Sequence, residues 1–414
     1  MKQTYLKLFC LALLFADSSI CHNAFAYDIA VKNEDGVTIY YQYCNGGTEL
    51  EVTWADYDNN YNYYKNSIKI PETVVFMNQT RKVTSIGIGA FAGCYYLTSV
   101  TIPSSVTSID FDAFADCYYL TSVTIPSSVE TIGEGAFSGC FNLTSVSIPE
   151  GVMRIGVNAF YNCTSLTSVT IPSSVKWICE LAFSWCSALT SVTIPEGVTG
   201  IGPSAFKNCT SLTSVTIPEG VTSIARETFY NCTSLTNVTI PSSVTSIGKS
   251  AFQNCKKLTS VMIGNGIKTI EAKAFMNCPN INDVYCLAYR YPKTNKDAFE
   301  NSYPDYITLH VPDEVVEQYK AVEPWSSFKA VVGISGSTGA TQVHANEVLI
   351  QSENGQVSVT GIDEGTAIAV YSADGKKIGS GLSQSGGVNI PTRLPAGSIA
   401  IVKIGDRSVK VVMK

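Results

Sequence analysis

A chain of 414 residues with 45% hydrophobic and only 15% charged residues has ample material for a packed core. Past its first thirty residues it has no apolar run long enough to cross a bilayer. The formal net charge of −6, which becomes −7 (26 basic and 33 acidic residues) once residues 1–26 are set aside, disfavours nucleic acid and anionic membrane as partners.

Residues 1–26 read as a secretory signal peptide. Lys2 and Lys7 supply the charge, Leu8 to Phe15 the apolar stretch, and Ala24-Phe25-Ala26 the small-x-small site, so cleavage after Ala26 leaves Tyr27 as the new N-terminus. The residue before Cys21, Ile20, is too bulky for the usual lipoprotein pattern. An exported, secreted or surface-displayed chain is the expectation, with membrane association only through export or anchoring. Residues 27–80 contain Val37 to Tyr43, Glu49 to Trp54 and Ser67 to Pro71, short strand-like runs expected to form an N-terminal cap.

From residue 81 to 290 an internal repeat dominates. Phe91, Phe114, Phe137, Phe160, Phe183, Phe206, Phe229, Phe252 and Phe275 recur every 23 residues. Three residues after each comes a cysteine, from Cys94 and Cys117 through to Cys278. Leu97, Val100 and Ile102 have the spacing of an L-x-x-L-x-L strand, which Pro103 ends because it cannot donate to a ladder. Val106 and Ile109 suggest a second extended piece, and the stretch up to Ala113-Phe114 an irregular or 3₁₀ turn. One unit cannot bury these positions alone. Stacked units bury them as one core, with strands about 4.8 Å apart and nine units spanning on the order of 40 Å.

The fold class expected is therefore a mostly-β repeat solenoid with short parallel strands, followed by a small antiparallel β-domain. The unit, roughly AF-x-x-C-x-x-L-x-S-V-x-IP-x-x-V-x-x-IG, resembles that of BspA-like bacterial leucine-rich-repeat surface proteins over residues 83–285. The resemblance implies an exported molecule that attaches to a host or bacterial partner; the spacing itself implies only a solenoid.

Beyond this run the register degrades: Ile281 stands for Leu, Cys286 for Ile, and the phenylalanine series stops. Residues 291–333, with Ile307 to Pro312, a short helical Asp313 to Lys320 and Trp325 to Phe328, read as a C-terminal cap. Residues 334–346 are a linker by composition. Residues 347–414 alternate strand-like runs with Asn354-Gly355, Asp374-Gly375 and Gly386-Gly387 turns, a β-sandwich-like module. Its last 45 or so residues resemble a type IX secretion sorting domain, through Val370 to Lys377, Leu394 to Lys403 and Lys410 to Lys414; Pro395-Ala396 departs from the usual context. That resemblance implies a role in sorting or anchoring.

Catalytic chemistry has little to draw on. Only His310 and His344 lie beyond residue 26, and no phosphate loop or HExxH run is present, so no catalytic residue, cofactor or metal is expected. The cysteine ladder reads as buried free thiols filling the core, since stacked side chains point in parallel; Cys44, Cys179 and Cys286 are the better disulfide candidates. Asp56 to Asn60 and the set Asp110, Asp112 and Asp116 have oxygen ligands that suit calcium, but neither forms a complete ligand loop, and solvated turns account for both.

The candidate binding surface follows from alternation along the strand. The residues between the inward Leu, Val and Ile form a nearly uncharged hydroxyl carpet, from Ser99 and Thr101 to Asn237 and Thr239, which suits either a ligand or a plain exposed sheet. Met262, Asp283 and Tyr285 break it in the same columns. A second departure is Tyr95, Tyr96, Tyr118, Tyr119 and Phe141, in positions that later hold Thr164, Ser165, Thr210 and Ser211. Because Cys94 and Leu97 point inward, one aromatic of each pair is expected to face solvent, where it serves either as a hot spot for a protein or glycan ligand or as a shield for the N-terminal cap. A structural or self-assembling surface protein is the alternative reading of the whole chain.

Overall fold

The computed structural model describes residues 27–54 and 64–334, and in the C-terminal part 349–353, 356–360, 366–372, 376–384, 387–392, 394–395, 399–404 and 407–412. The expected signal peptide, the acidic cluster Asp56 to Asn60 and the expected linker beyond Ile334, His344 included, lie outside the described residues. The chain divides into two compact units, Met1–Gly336 and Ser337–Lys414.

The first unit is a solenoid in which each coil contributes two short parallel strands. On the longer-strand face Ser99, Val100 and Thr101 pair with Ser122, Val123 and Thr124, and the same 23-residue register recurs along the stack, with the ladder interrupted between Ser168–Thr170 and Ser191–Thr193 and between Ser214–Thr216 and Asn237–Ile240. In the shorter-strand sheet Ser108 and Ile109 pair with Thr131 and Ile132. Val and Ile favour the pleated conformation and face inward; Leu97, Val100, Ile102, Val106, Ile109, Ala113, Phe114 and Cys117 are all at 6% exposure or less. At the N-terminal end Ile29–Lys32, Thr38–Cys44 and Glu49–Thr53 form an antiparallel meander whose last strand pairs in parallel with Gln79–Ile86. Asn66–Lys69 leads the longer-strand sheet by pairing with Leu97–Thr101.

The repeated phenylalanines form a continuous spine. From Phe91 to Phe275 neighbouring rings lie 4.9–5.6 Å apart and within 13° of parallel. The separation is close to the strand spacing, so the backbone sets the stack rather than an aromatic preference for offset or edge-on geometry. The spine does not end at Phe275 as expected from the sequence: Phe299 stacks on it at 5.1 Å and 11°. One extra residue between Cys286 and Lys293 shifts the register, so that Ile263 pairs with Cys286 but Ile270 with Thr294. Tilted aromatics then close both ends, Tyr64 on Phe91 (4.7 Å, 47°) and Trp325 and Phe328 on Phe299 (61° and 82°).

The ladder cysteines are free and buried, and they also carry hydrogen bonds. Each thiol from Cys117 to Cys278 donates to the carbonyl of the phenylalanine in the preceding coil, at 3.1–3.3 Å. Ser302 takes the next place, its hydroxyl donating to the Phe275 carbonyl at 2.5 Å. Cys44, Cys179 and Cys286 form no disulfide, contrary to expectation. Each meets a different group: Cys44 the Thr84 hydroxyl at 3.8 Å, Cys179 the Arg154 Nε at 2.7 Å, and Cys286 the Tyr319 hydroxyl at 3.3 Å.

Two residues per coil, four apart and flanking Ala-Phe (Thr228-Phe229 in one coil), adopt the left-handed conformation. They are Gly89 and Gly93, Asp112 and Asp116, Gly135 and Gly139, then Asn158 and Asn162, continuing to Lys273 and Asn277. Gly, Asn and Asp tolerate this region best, which explains the acidic pair. Asp112 and Asp116 hold the turn in its left-handed conformation, with their carboxylates lying over Gly135 and Gly139 of the next coil, where an added Cβ would require the carboxylate to move. Among the described residues no group of three or more His, Cys, Asp or Glu is placed to hold a metal. The second column becomes an amide ladder, in which Asn231 donates to Asn208 and Asn277 to Asn254, both at 2.9 Å.

The second unit has two antiparallel sheets. One contains Leu349–Glu353, Gln356–Thr360 and Gly387–Pro391; the other contains Lys377–Leu382, Ala367–Ser372, Ile399–Ile404 and Arg407–Val412. Val357, Val359, Ile368, Val370, Ile390, Ala400 and Val402 form their shared core.

Two predictions follow from these ladders. Burial pushes the ladder thiols from Cys94 to Cys255 up, Cys163 and Cys209 to about 12, so a thiol-specific reagent at pH 8 is expected to leave these thiols unmodified in the native protein and to label them on unfolding. Labelling of Cys163 or Cys209 without unfolding would contradict the burial. Burial, and then the Asp116 and Glu134 carboxylates, push Asp112 up to about 6. A carboxyl raised above its unfolded value of about 3.9 opposes folding at neutral pH, and the opposition fades as pH falls through 6 towards 4. Asp112→Asn should therefore raise stability at pH 7 by about 1 kcal/mol after allowance for solvent screening, and the gain should shrink by pH 4 in paired urea titrations.

Candidate binding surfaces

The tyrosines form two short files along the stack. Tyr95, Tyr118 and Phe141 make the half-buried file, with centroids 4.6 and 4.7 Å apart. Tyr96 and Tyr119 make the outer file, 53% and 51% exposed and stacked at 5.9 Å and 9°. Each tyrosine pair thus sends one ring to solvent, because Cys94, Leu97, Cys117 and Leu120 occupy the inward positions. Lys65 places its Nζ 5.9 Å from the Tyr96 centroid, and the Tyr96 carbonyl accepts from the Asn66 amide at 2.8 Å. The tyrosines therefore touch the N-terminal segment while keeping an exposed edge. Stacking uses up their facing ring surfaces, so that edge offers a partner ring rims and phenol hydroxyls rather than two separate flat platforms.

The carpet is present as alternation requires. Thr101, Thr124, Ser147, Thr170, Thr193, Thr216 and Thr239 are exposed, with the inward valine beside each buried or nearly so. Next to it, Thr121, Thr144, Thr167, Thr190, Thr213, Thr236 and Thr259 each donate a side-chain hydrogen bond to the preceding coil's threonine carbonyl, at 3.0–3.5 Å. Those hydroxyls are committed to the solenoid itself.

At the C-terminal end Met262 pairs with Tyr285 and Tyr285 with His310, while Asp283 lies between Ser260 and Thr308. His310 is the member that sequence reasoning passed over. Its ring stacks on Tyr285 at 4.2 Å and 9°, and its Nε2 lies 2.9 Å from Asp283 Oδ1. The histidine is only 2% exposed and its Nδ1 has no hydrogen-bond partner. Burial, then the Asp283 charge, push the Tyr285 phenol up. The signal was the register: Ile307 to Pro312 repeats the strand pattern and places His310 in the column of Thr239 and Met262.

The two departures from the carpet are not brought together. The tyrosine files begin about eight rungs, on the order of 40 Å, from Tyr285, and they lie before the strand rather than on it. Among the described residues no helix is long and apolar enough to cross a membrane.

A family model for the BspA type leucine-rich repeat region matches residues 60–190 and 177–306, in six copies. Similar solved structures include a leucine-rich cell surface protein of Faecalibacterium prausnitzii, 26% identical, covering 76% of this chain and 96% of its own, with a TM-score of 0.42. A leucine-rich repeat protein of Bacteroides ovatus is 25% identical and covers 74% of this chain and 100% of its own, with a TM-score of 0.33. The leucine-rich repeat protein of T. pallidum is 23% identical and covers 59% and 87%, with a TM-score of 0.37. No curated protein sequence matches the chain. The matched repeat region spans more than half of the sequence and contains the Phe-x-x-Cys spine described above, and the chain belongs to the BspA-type leucine-rich-repeat family.

Proposed function

We propose that the protein is an exported, non-enzymatic binding scaffold that attaches to a protein or glycan ligand on a host or neighbouring cell. The observation that carries this reading is the outer tyrosine file: Tyr96 and Tyr119 are held at about half exposure in a column where later coils carry Ser165, Ala188 and Ser211. Tyrosine buries a large area on binding at low entropic cost, and a stacked pair is already ordered. The leucine-rich cell surface protein of F. prausnitzii supports a surface location, as do residues 1–26 read as a signal peptide. Residues 347–414 then serve sorting or anchoring. Met262, Asp283 and Tyr285 are a second contact region, with Asp283 already held by His310.

The test is an array of glycans and extracellular-matrix proteins probed with the chain from residue 27 onward. We expect a saturable hit, reduced at least about 30-fold when Tyr95, Tyr96, Tyr118 and Tyr119 are replaced by serine, as loss of a hot spot of about 2 kcal/mol requires. A thermal melt confirms that the variant remains folded. Unchanged binding would rule out the tyrosine edge, and self-association without any hit would favour a structural, self-assembling surface protein.

A further inference from the structure

The fifth coil departs from its neighbours in three respects. Its two left-handed positions are occupied by Leu181 (φ 58°) and Trp185 (φ 65°), where the flanking coils use Asn158 and Asn162 or Ser204 and Asn208. Bulky side chains adopt this conformation only against steric strain, which asparagine and glycine largely escape. The indole gains no core burial in exchange, since Trp185 remains 45% exposed. Ser184 beside it is fully buried, and its hydroxyl has no hydrogen-bond partner. Leu181, Ser184 and Trp185 line a cleft of about 440 Å³ together with Asn158, Tyr161 and Lys207.

We propose that this cleft is a subsite for one neutral pyranose ring of a glycan. Its volume lies within the range of small-ligand sites, on the order of 300–1,000 Å³, and its lining is mostly polar, with Ser138, Asn158, Ser184 and Lys207 beside the rings of Trp185 and Tyr161. The indole of Trp185 offers a surface for the C–H face of the sugar. The Asn158 amide and the Tyr161 phenol provide donors and acceptors for its hydroxyls. Ser184 lines the cleft and its hydroxyl has no partner, so a sugar hydroxyl brought within hydrogen-bond distance would satisfy it. Charge decides between neutral and acidic sugars. Lys207 is the cation of the lining, and its Nζ is held by Glu227 at 2.6 Å and lies over the Tyr230 ring at 4.9 Å. Its charge is already met, so an anionic sugar gains no counter-ion there. The left-handed conformation of Trp185 fits the same picture: from Asn162 to Asn277 its column otherwise holds asparagine, whereas the Leu181 column also holds Glu227 and Lys273 in the same conformation. This subsite lies in different coils from the tyrosine files and does not depend on them.

The experiment is saturation-transfer NMR on the full chain from residue 27, with methyl glycosides of glucose, galactose, mannose and N-acetylglucosamine and their β-linked disaccharides as probes. We expect a saturable signal from at least one probe. Trp185→Asn restores the residue type of Asn162 and Asn208, so it should fold at least as well as the parent and abolish the signal. Ser184→Ala should weaken binding by about fivefold, the loss of one hydrogen bond. The double variant Tyr96→Ser and Tyr119→Ser should leave the signal intact. Silence across the panel would overturn the subsite, as would a signal that survives Trp185→Asn. A signal lost only in the tyrosine variant would also overturn it, while supporting the tyrosine edge.

Discussion

Each coil of the first unit has to leave a rung, turn through its corners and return one strand spacing, about 4.8 Å, further along. The left-handed pair around each Ala-Phe makes this return possible, because two reversals four residues apart drive the phenylalanine into the interior and bring the cysteine back towards the strand. Once that geometry is fixed, the remaining contacts follow. The phenylalanines meet at the rung spacing, each thiol finds the carbonyl of the preceding coil, and the threonines beside the strand hydrogen-bond from coil to coil. The core is therefore a set of parallel columns, each repeating one interaction, and a column survives a longer coil only where the extra residue is taken up outside it, as between Cys286 and Lys293.

This is why the interior could be read from the sequence and the exceptions could not. Phe91 to Phe275 and Cys94 to Cys278 announce their positions by period, and their burial follows from hydrophobicity alone. Phe299 escaped the same reasoning because one inserted residue before Lys293 broke the count while leaving the stacking intact. The thiol-to-carbonyl bond was not legible either: sequence identifies a small buried residue, but only the direction of the side chain distinguishes a filler from a donor. For Asp112 and Asp116 the missing ligand loop already favoured turns over an ion site, but the left-handed backbone that makes acidic residues acceptable there was not legible.

On the surface the balance reverses. Repetition makes the hydroxyl face uniform, so recognition is to be sought where a column is interrupted, as at Tyr96, Tyr285 and Trp185. The exposure of Tyr96 followed from the inward positions of Cys94 and Leu97. The burial of His310 did not, because it depends on the Tyr285 ring and the Asp283 carboxylate arriving from the preceding coil. Trp185 carried a signal in the sequence, a tryptophan in a column of asparagines, whose meaning depends on knowing that this column is left-handed.

The aromatic closures at Tyr64 and at Trp325 with Phe328 touch only the terminal rings of the spine. Every internal ring sees another phenylalanine on both sides, so the two ends are blind to how many coils separate them. In evolutionary terms, a duplication or loss of any whole multiple of 23 residues within the periodic run leaves both closures intact. The length of the stack can therefore drift between descendants, changing the distance between the tyrosine edge and the C-terminal patch without requiring a new core.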